Sequence, residues 1–386
     1  MASGSVIDDS EITATSNMFS TLPEDVIPEI LCRLPVKLLL QLRCVCKSWN
    51  SLISDSEFIK KHLRMSTTRR LHFLTYLNRP DNKYILTSYP LDSVFTDDLN
   101  TDFTQLEYST NYFNGDHRWT CFHHFTGSCN GILCFADDIT GLVILWNPSI
   151  RKFMELPPFT WPNNASSGIG MTFGFGYDFS TDKYKVVVVL DYTMSDAKMT
   201  EVKVHTLGTN VWRSIPTYPF GGVPVPCMRS GKFVSGTINW LVSKEIYGKS
   251  PRFIVSFDLV NESYQKILPR IGGEDMCDLW SIGVLRDCLC VTSVNDVWIM
   301  EEYGNKESWT KLFTVPYMRG PFNHHISIIP IYIFEDDQVI LEFIGDHELN
   351  VGLYDSKSGT LKPTNFGDFY YPEVCVESLI SPYSLS

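Results

Sequence analysis

The sequence has no excess of basic residues, no long apolar run and, past residue 65, no capped helical stripe of twelve or more residues. Lys and Arg number 32 against 44 Asp and Glu, a net charge of -12. General nucleic-acid binding needs cations that neutralise phosphates, so this balance speaks against it. A membrane-spanning helix needs about eighteen or more consecutive apolar residues, and none is present. The first twenty residues are rich in Ser, Thr, Asp and Glu, with neither a basic start nor an apolar centre, so no secretory signal is expected there. Without secretion, Asn164-Ala165-Ser166 and Asn261-Glu262-Ser263 are idle as glycosylation triplets. The eleven cysteines are odd in number and sit among apolar neighbours, as at Cys44, Cys46, Cys134, Cys288 and Cys290. That usage fits reduced core thiols of an intracellular protein rather than a disulfide framework.

What is present divides the 386 residues unevenly. A composition of 44% hydrophobic and 13% aromatic residues supports a large core. Residues 1–17 hold three acids and no base and few large apolar groups, and are expected to be disordered. Residues 18–64 carry seven Lys/Arg and five Asp/Glu, a weakly basic head on an acidic body of 65–386. At this density the asymmetry concerns solubility more than recognition.

In the head, Val26, Ile27, Ile30, Leu31 and Leu34 follow three-four spacing after Leu22-Pro23, which predicts a helix. Pro28 lies inside that pattern. With Asp25 as the N-cap it falls at the third helical position, where a missing N–H costs nothing, so the first helix is expected to be short or kinked there. Leu34-Pro35 ends it and starts a second helix, on which Leu38, Leu42, Val45 and Trp49 share a face widened by Val36, Leu39 and Cys46. Apolar residues here exceed what one stripe needs. Asp55 caps a third helix with Phe58, Ile59, His62 and Leu63 on one side. Three short helices in 47 residues have too little core to be self-sufficient. Their apolar surface meets either the β body behind it or another protein, and an apolar face does not name its partner.

From Arg69 onward the sequence turns to short β-rich runs, such as Val186-Val187-Val188-Val189-Leu190, separated by Gly, Pro, Asn and Asp. An aromatic, then an apolar residue and a proline, closes successive units: Phe153 to Pro157, Trp212 to Pro216, Tyr264 to Pro269 and Trp309 to Pro316. The intervals between these prolines are 59, 53 and 47 residues, and Pro363 follows 47 residues later. Each unit carries a turn into a buried strand, as at Asn130-Gly131, Ser235-Gly236, Arg286-Asp287 and Asp336-Asp337. A period near fifty residues with four strands each points to a kelch-like β-propeller. Six units fit, at 69–116, 117–158, 165–216, 222–270, 275–316 and 322–365, with Glu377 to Ile380 expected to pair into the first and hide its edge. A two-sheet sandwich or two smaller β domains are the alternative.

No catalytic or metal site is expected. Gly127-Ser128-Cys129-Asn130-Gly131 imitates a nucleophile elbow, but a strand and not a helix follows it. Gly168, Gly170, Gly174 and Gly176 lack the Lys-Ser/Thr of a phosphate loop. Cys121, His123, Cys129 and Cys134 have the chemistry of zinc ligands without a zinc spacing, so core and turn roles are expected.

The run Leu22-Pro23-Glu24-Asp25, Ile30-Leu31, Arg33 to Lys37, Leu39, Arg43 to Trp49 and Leu52-Ile53 resembles an F-box. The body resembles the F-box-associated domain of plant F-box and F-box/kelch-repeat proteins. Its matching strings are Ser128 to Cys134, Trp146-Asn147-Pro148, Phe175 to Asp178, Asp182 to Val186, Gly236 to Trp240, Phe257-Asp258-Leu259 and Glu307 to Lys311. The fold implied is a small all-α F-box of three helices at 18–64, followed by a large all-β domain, a six-bladed kelch-like propeller. The function implied is that of substrate-recognition subunit of an SCF-type ubiquitin ligase, without catalysis or cofactor of its own. Its partners would be a Skp-family adaptor, through it cullin and RING subunits, and a protein substrate, with no nucleic acid and no membrane. Carried over by the motif, the adaptor contacts would be Leu22, Pro23, Ile30, Leu34, Pro35, Leu39, Val45, Cys46 and Trp49. A propeller enzyme or a non-degradative scaffold is the alternative function. Pro28 stands where Leu or Ile is usual.

Overall fold

A computed structural model of the chain describes residues 26–77, 83–93, 104–109, 123–137, 141–160, 170–194, 197–225, 230–244, 250, 252–269, 271, 279–316, 327–344, 349–364 and 370–383. Four helices lie at its start: α1 (Val26–Leu31), α2 (Val36–Leu42), α3 (Lys47–Ser54) and α4 (Ser56–Met65). Helix α1 has only six residues, and Pro28 occupies its third position as the sequence predicts. Its carbonyl is still used, accepting from Cys32 N at 2.9 Å. Asp55 caps α4, accepting from the N–H groups of Glu57 and Phe58 at 3.0 and 3.1 Å.

The expected second helix is two. Arg43 to Val45 close α2 with tightened bonds, Cys44 N to Gln41 O at 3.0 Å and Val45 N to Leu42 O at 3.1 Å. Cys46 then adopts an extended φ of -155° as the N-cap of α3. Residues 26–65 therefore hold four helices rather than three. Pro35 lies one position before α2, at its N-cap, rather than in its first turn.

The β body opens with β1 (Arg69–Leu77), β2 (Lys83–Pro90) and β3 (Thr104–Ser109). The strands β4 (His123–Cys129), β5 (Ile132–Asp137), β6 (Val143–Asn147) and β7 (Lys152–Glu155) form an antiparallel meander. The next comprises β8 (Gly170–Asp178), β9 (Lys183–Met194), β10 (Ala197–Thr206) and β11 (Trp212–Ile215). After the short β12 (Val223–Pro224) come β13 (Ser230–Val234), β14 (Thr237–Ser243), β15 (Arg252–Asp258) and β16 (Tyr264–Ile267). Two more meanders follow: β17 (Leu279–Leu285), β18 (Cys288–Ser293), β19 (Asp296–Met300) and β20 (Trp309–Thr314), then β21 (Ser327–Ile333), β22 (Gln338–Ile344), β23 (Leu349–Asp355) and β24 (Thr360–Thr364). The last strand, β25 (Tyr370–Val376), returns to pair antiparallel with β1, giving the order β25-β1-β2-β3. Among the described residues, hydrogen bonding makes four four-stranded sheets and one of nine strands. In the last, β8 touches β13 through a parallel contact of two residue pairs.

The closing strand is thus 370–376, and 377–380 is not the pairing segment expected from the sequence. Pro372 lies within the strand, opposite Phe73. It is tolerated because β25 ends its sheet, with one edge unpaired.

Two-residue hairpins join the first two strands of three meanders, β4 to β5, β13 to β14 and β17 to β18. Asn130 and Gly131 have φ of 54° and 84°, Ser235 and Gly236 49° and 78°, Arg286 and Asp287 51° and 58°. Two successive positive φ values suit the twist of a two-residue hairpin. Buried clusters lie between consecutive meanders, for example Cys134 and Leu145 against Phe173 and Val188, or Leu71 and Phe73 against Ile340 and Leu353. The second example joins the last meander to the first sheet, so the packing closes on itself as a propeller-like domain.

The repeated aromatic and proline have a shared geometry. Trp212 donates from Nε1 to the Pro157 carbonyl at 2.6 Å, and Tyr264 donates its hydroxyl to the Pro216 carbonyl at 2.9 Å. Each aromatic ties the outer strand of its meander to the proline that ends the previous one.

Candidate functional site

The helical block rests on the β body through one side of α4 and a C-terminal strap. Ile59 and Leu63 pack on the cluster containing Cys129, Phe175 and Tyr184, and Lys60 pairs with Asp182 at 2.6 Å. Beyond β25, Glu377 N donates to Thr68 O at 2.9 Å, and Ser66 Oγ donates to the Glu377 carbonyl at 3.1 Å. Leu379 then enters the core of the helical block beside Leu31, Val36, Leu39, Ile53 and Phe58. Its neighbour Ile380 enters the β cluster. A Cβ on Gly131 would collide with Ser378, so Gly is required there both for its φ and for the passage of the strap.

Away from these contacts, three large aliphatic side chains of the block are exposed. Ile30 is 50% exposed, Leu38 44% and Val45 65%. Pro35 and Cys46 are exposed beside them, and Leu34 and Trp49 are half-buried. Leu39 is 0% exposed and belongs to the core, holding the surface from beneath rather than forming it. Leu22 and Pro23 lie outside the described residues. Leu38 belongs to the surface although the sequence assigned it to the same stripe as Trp49. The surplus of leucines in α2 is its signal: Val36 and Leu39 take the core, and Leu38 is left outward.

Polar groups fix the frame of this surface. His62 is buried, its Nε2 2.9 Å from the Leu34 carbonyl where α1 gives way to α2. Lys61 pairs with Glu29, and the lysine holds that carboxyl below its usual range, first through the hydrogen bond. Arg43 Nε donates to Asn50 Oδ1 at 3.1 Å, bracing the turn between α2 and α3. The Cys46 thiol lies 3.1 Å from Ser48 Oγ, and its pKa is lowered by that hydrogen bond and by the Trp49 N–H. Burying three exposed aliphatic side chains is worth about 1.5–3 kcal/mol each, before the costs of association.

The other candidates resolve into structure. Gly127 to Cys129 end β4, Asn130 and Gly131 make a tight turn and a strand follows from Ile132, while burial raises the Cys129 thiol well above the ordinary range. Cys129 and Cys134 lie in the core between two meanders, while Cys121 falls outside the described residues. Among the described residues no group of three or more His, Cys, Asp or Glu is gathered to hold a metal ion. No described helix is long and apolar enough to cross a membrane.

Comparison with known proteins agrees with this division. Residues 19–61 match the F-box domain, and residues 84–382 match the F-box associated beta propeller domain. The F-box/kelch-repeat protein At3g23880 of Arabidopsis thaliana is 30% identical over 389 residues, covering 96% of this chain and 99% of its own. F-box protein CPR1 of the same plant is 27% identical, over 94% of this chain and 89% of that one. Among solved structures, hydrazine synthase of Kuenenia stuttgartiensis aligns over 82% of this chain and 47% of its own, at 10% identity and a TM-score of 0.45. That likeness carries no argument about activity.

Proposed function

Because the chain belongs to the F-box proteins that carry an F-box associated beta propeller domain, we propose that it is the substrate-recognition subunit of an SCF-type ubiquitin ligase. An F-box implies binding to a Skp1-type adaptor. The observation that carries the reading is the exposed line of Ile30, Leu38 and Val45, on a block whose other side is already committed to the β body. In this reading residues 18–64 are the docking module and 65–386 the target-binding module, a propeller of six blades. The division of the nine-stranded sheet at the two-pair contact between β8 and β13 supports that blade number. Cullin and RING subunits reach the chain only through the adaptor, and the compartment is the cytoplasm and/or nucleus.

The mechanism is proximity. Holding a target beside the charged ubiquitin-transfer enzyme raises the effective concentration of its lysines, so the receptor itself needs neither nucleophile nor cofactor. The helical block covers the face bearing the β4–β5 and β8–β9 turns, and the opposite face is left for the target. The test is affinity purification of the full chain with the proteasome inhibited, beside a chain lacking residues 18–64. Adaptor and cullin are expected with the first alone and the target with both. Recovery of the adaptor with the truncated chain would sink the assignment.

A further inference from the structure

Parts of β1, β4, β13, β17, β21 and β25, with the end of α4, line a cavity of about 650 Å3. Of the strands lining it, β4, β17, β21 and β25 are each terminal in their sheets, leaving one edge of main-chain groups unpaired by strand neighbours. Gly127 has a φ of 144°, and a Cβ there would meet nothing nearer than the Gly231 carbonyl at 4.0 Å. The wall at that level is therefore bare backbone, which a ligand can approach closely.

The charges of the lining run against those of the chain. Arg64, Arg69, Lys232 and Arg286 line the cavity with two carboxylates, Asp287 and Glu373, in a protein of net charge -12. Arg286 is engaged by Asp337 at 2.6 Å. Arg64, Arg69 and Lys232 have no carboxylate within ion-pairing distance among the described residues. Burial pushes the thiols of Cys290 and Cys375 up to about 12, with the Glu373 carboxylate adding to the rise at Cys375, while the fields of Lys232 and Arg69 pull them the other way. Four cations face two carboxylates around one partly enclosed volume, so the lining carries an excess of positive charge that an anion would offset.

We propose that this cavity binds a compact anion bearing two or more phosphate groups, held by Arg64, Arg69 and Lys232 together with main-chain N–H groups of the inner strands. Guanidinium forks match phosphate oxygens, and the volume lies within the roughly 300–1,000 Å3 of small-ligand sites. Arg64 comes from α4 and Lys232 from β13, so the ligand bridges the helical block and the β body and stabilises both by mass action. The site is separate from the exposed line of Ile30, Leu38 and Val45 and does not depend on adaptor docking.

Calorimetric titration and thermal melting of the full chain with sodium triphosphate, at constant ionic strength, test the proposal. The expected result is saturable one-to-one binding with a rise in Tm. Arg64→Gln and Lys232→Gln should each bind about tenfold more weakly, the loss of one charge-assisted hydrogen bond. Arg64 is exposed, so its variant keeps the fold, which its ligand-free melting verifies. Absence of saturable binding at millimolar triphosphate, or unchanged affinity in both variants, overturns the site. Equal affinity for citrate overturns the assignment to phosphate.

Discussion

Asn147 donates from Nδ2 to the main-chain oxygen of Ser378 at 3.0 Å, although 231 residues separate the two. Its two N–H groups are shared between that oxygen, Ser378 Oγ at 3.0 Å and the Ile380 carbonyl at 2.7 Å, while its Oδ1 accepts from Ser149 N at 2.9 Å. This side chain is 0% exposed and holds the strap at the point where Leu379 turns toward the helices and Ile380 toward the strands. Asn147→Ala leaves buried carbonyls without donors, and about 2–3 kcal/mol of stability should be lost in urea unfolding. A loss below about 0.5 kcal/mol would remove the strap from this role.

Leu379→Ala tests the coupling itself. Large-to-small changes in a core cost about 2–5 kcal/mol, and here the loss falls on the helical block. Amide exchange in residues 26–65 should accelerate, while exchange in β14 and β15, remote from the strap, stays slow. Uniform acceleration through both regions would mean general unfolding instead.

The repeated aromatic bonds predict a graded result. Tyr264→Phe removes only the hydroxyl donated to Pro216 and should cost about 1 kcal/mol. Trp212→Ala removes both the Nε1 bond to Pro157 and the ring that packs edge-on to Phe159, at about 3–5 kcal/mol. Equal losses in chemical denaturation would contradict the division between bond and packing.

Much of this architecture is legible in the sequence because its repeats have a local chemical cause. Proline follows the outer strand of several meanders, Trp212 and Tyr264 reach back to such a proline, and the two-residue turns at Asn130-Gly131 and Arg286-Asp287 need positive φ, so the units can be read without the fold. The break between α2 and α3 is not legible, because Val45 and Trp49 continue the apolar spacing of Leu38 and Leu42 across it. The outward turn of Leu38 is hidden for the same reason: spacing marks a face without saying what covers it. The closing strand was obscured by Pro372, which argues against a strand until β25 is seen to be terminal in its sheet. Leu39 reads as a contact by resemblance, yet only packing reveals it as core.

His72 sets a pH dependence. It is 2% exposed, and burial, aided by Arg70, lowers its pKa from 6.5 to about 3. The native state keeps it neutral while the unfolded chain takes up a proton below about pH 6.5, so stability falls as pH drops from there toward about 3. The slope from this one group approaches about 1.4 kcal/mol per pH unit. His72→Gln should flatten the unfolding free energy over that window, and an unchanged slope would assign the acid sensitivity to other groups.

The central claim is that the uncovered side of the helical block docks an adaptor, and its most direct test is the affinity of a purified Skp1-type adaptor for the full chain by calorimetry. The intact chain is predicted to bind saturably, and Val45→Asp and Leu38→Asp each to bind at least about tenfold more weakly, with unchanged melting temperatures. Binding that is absent from the intact chain, or undiminished by both substitutions, would contradict the account.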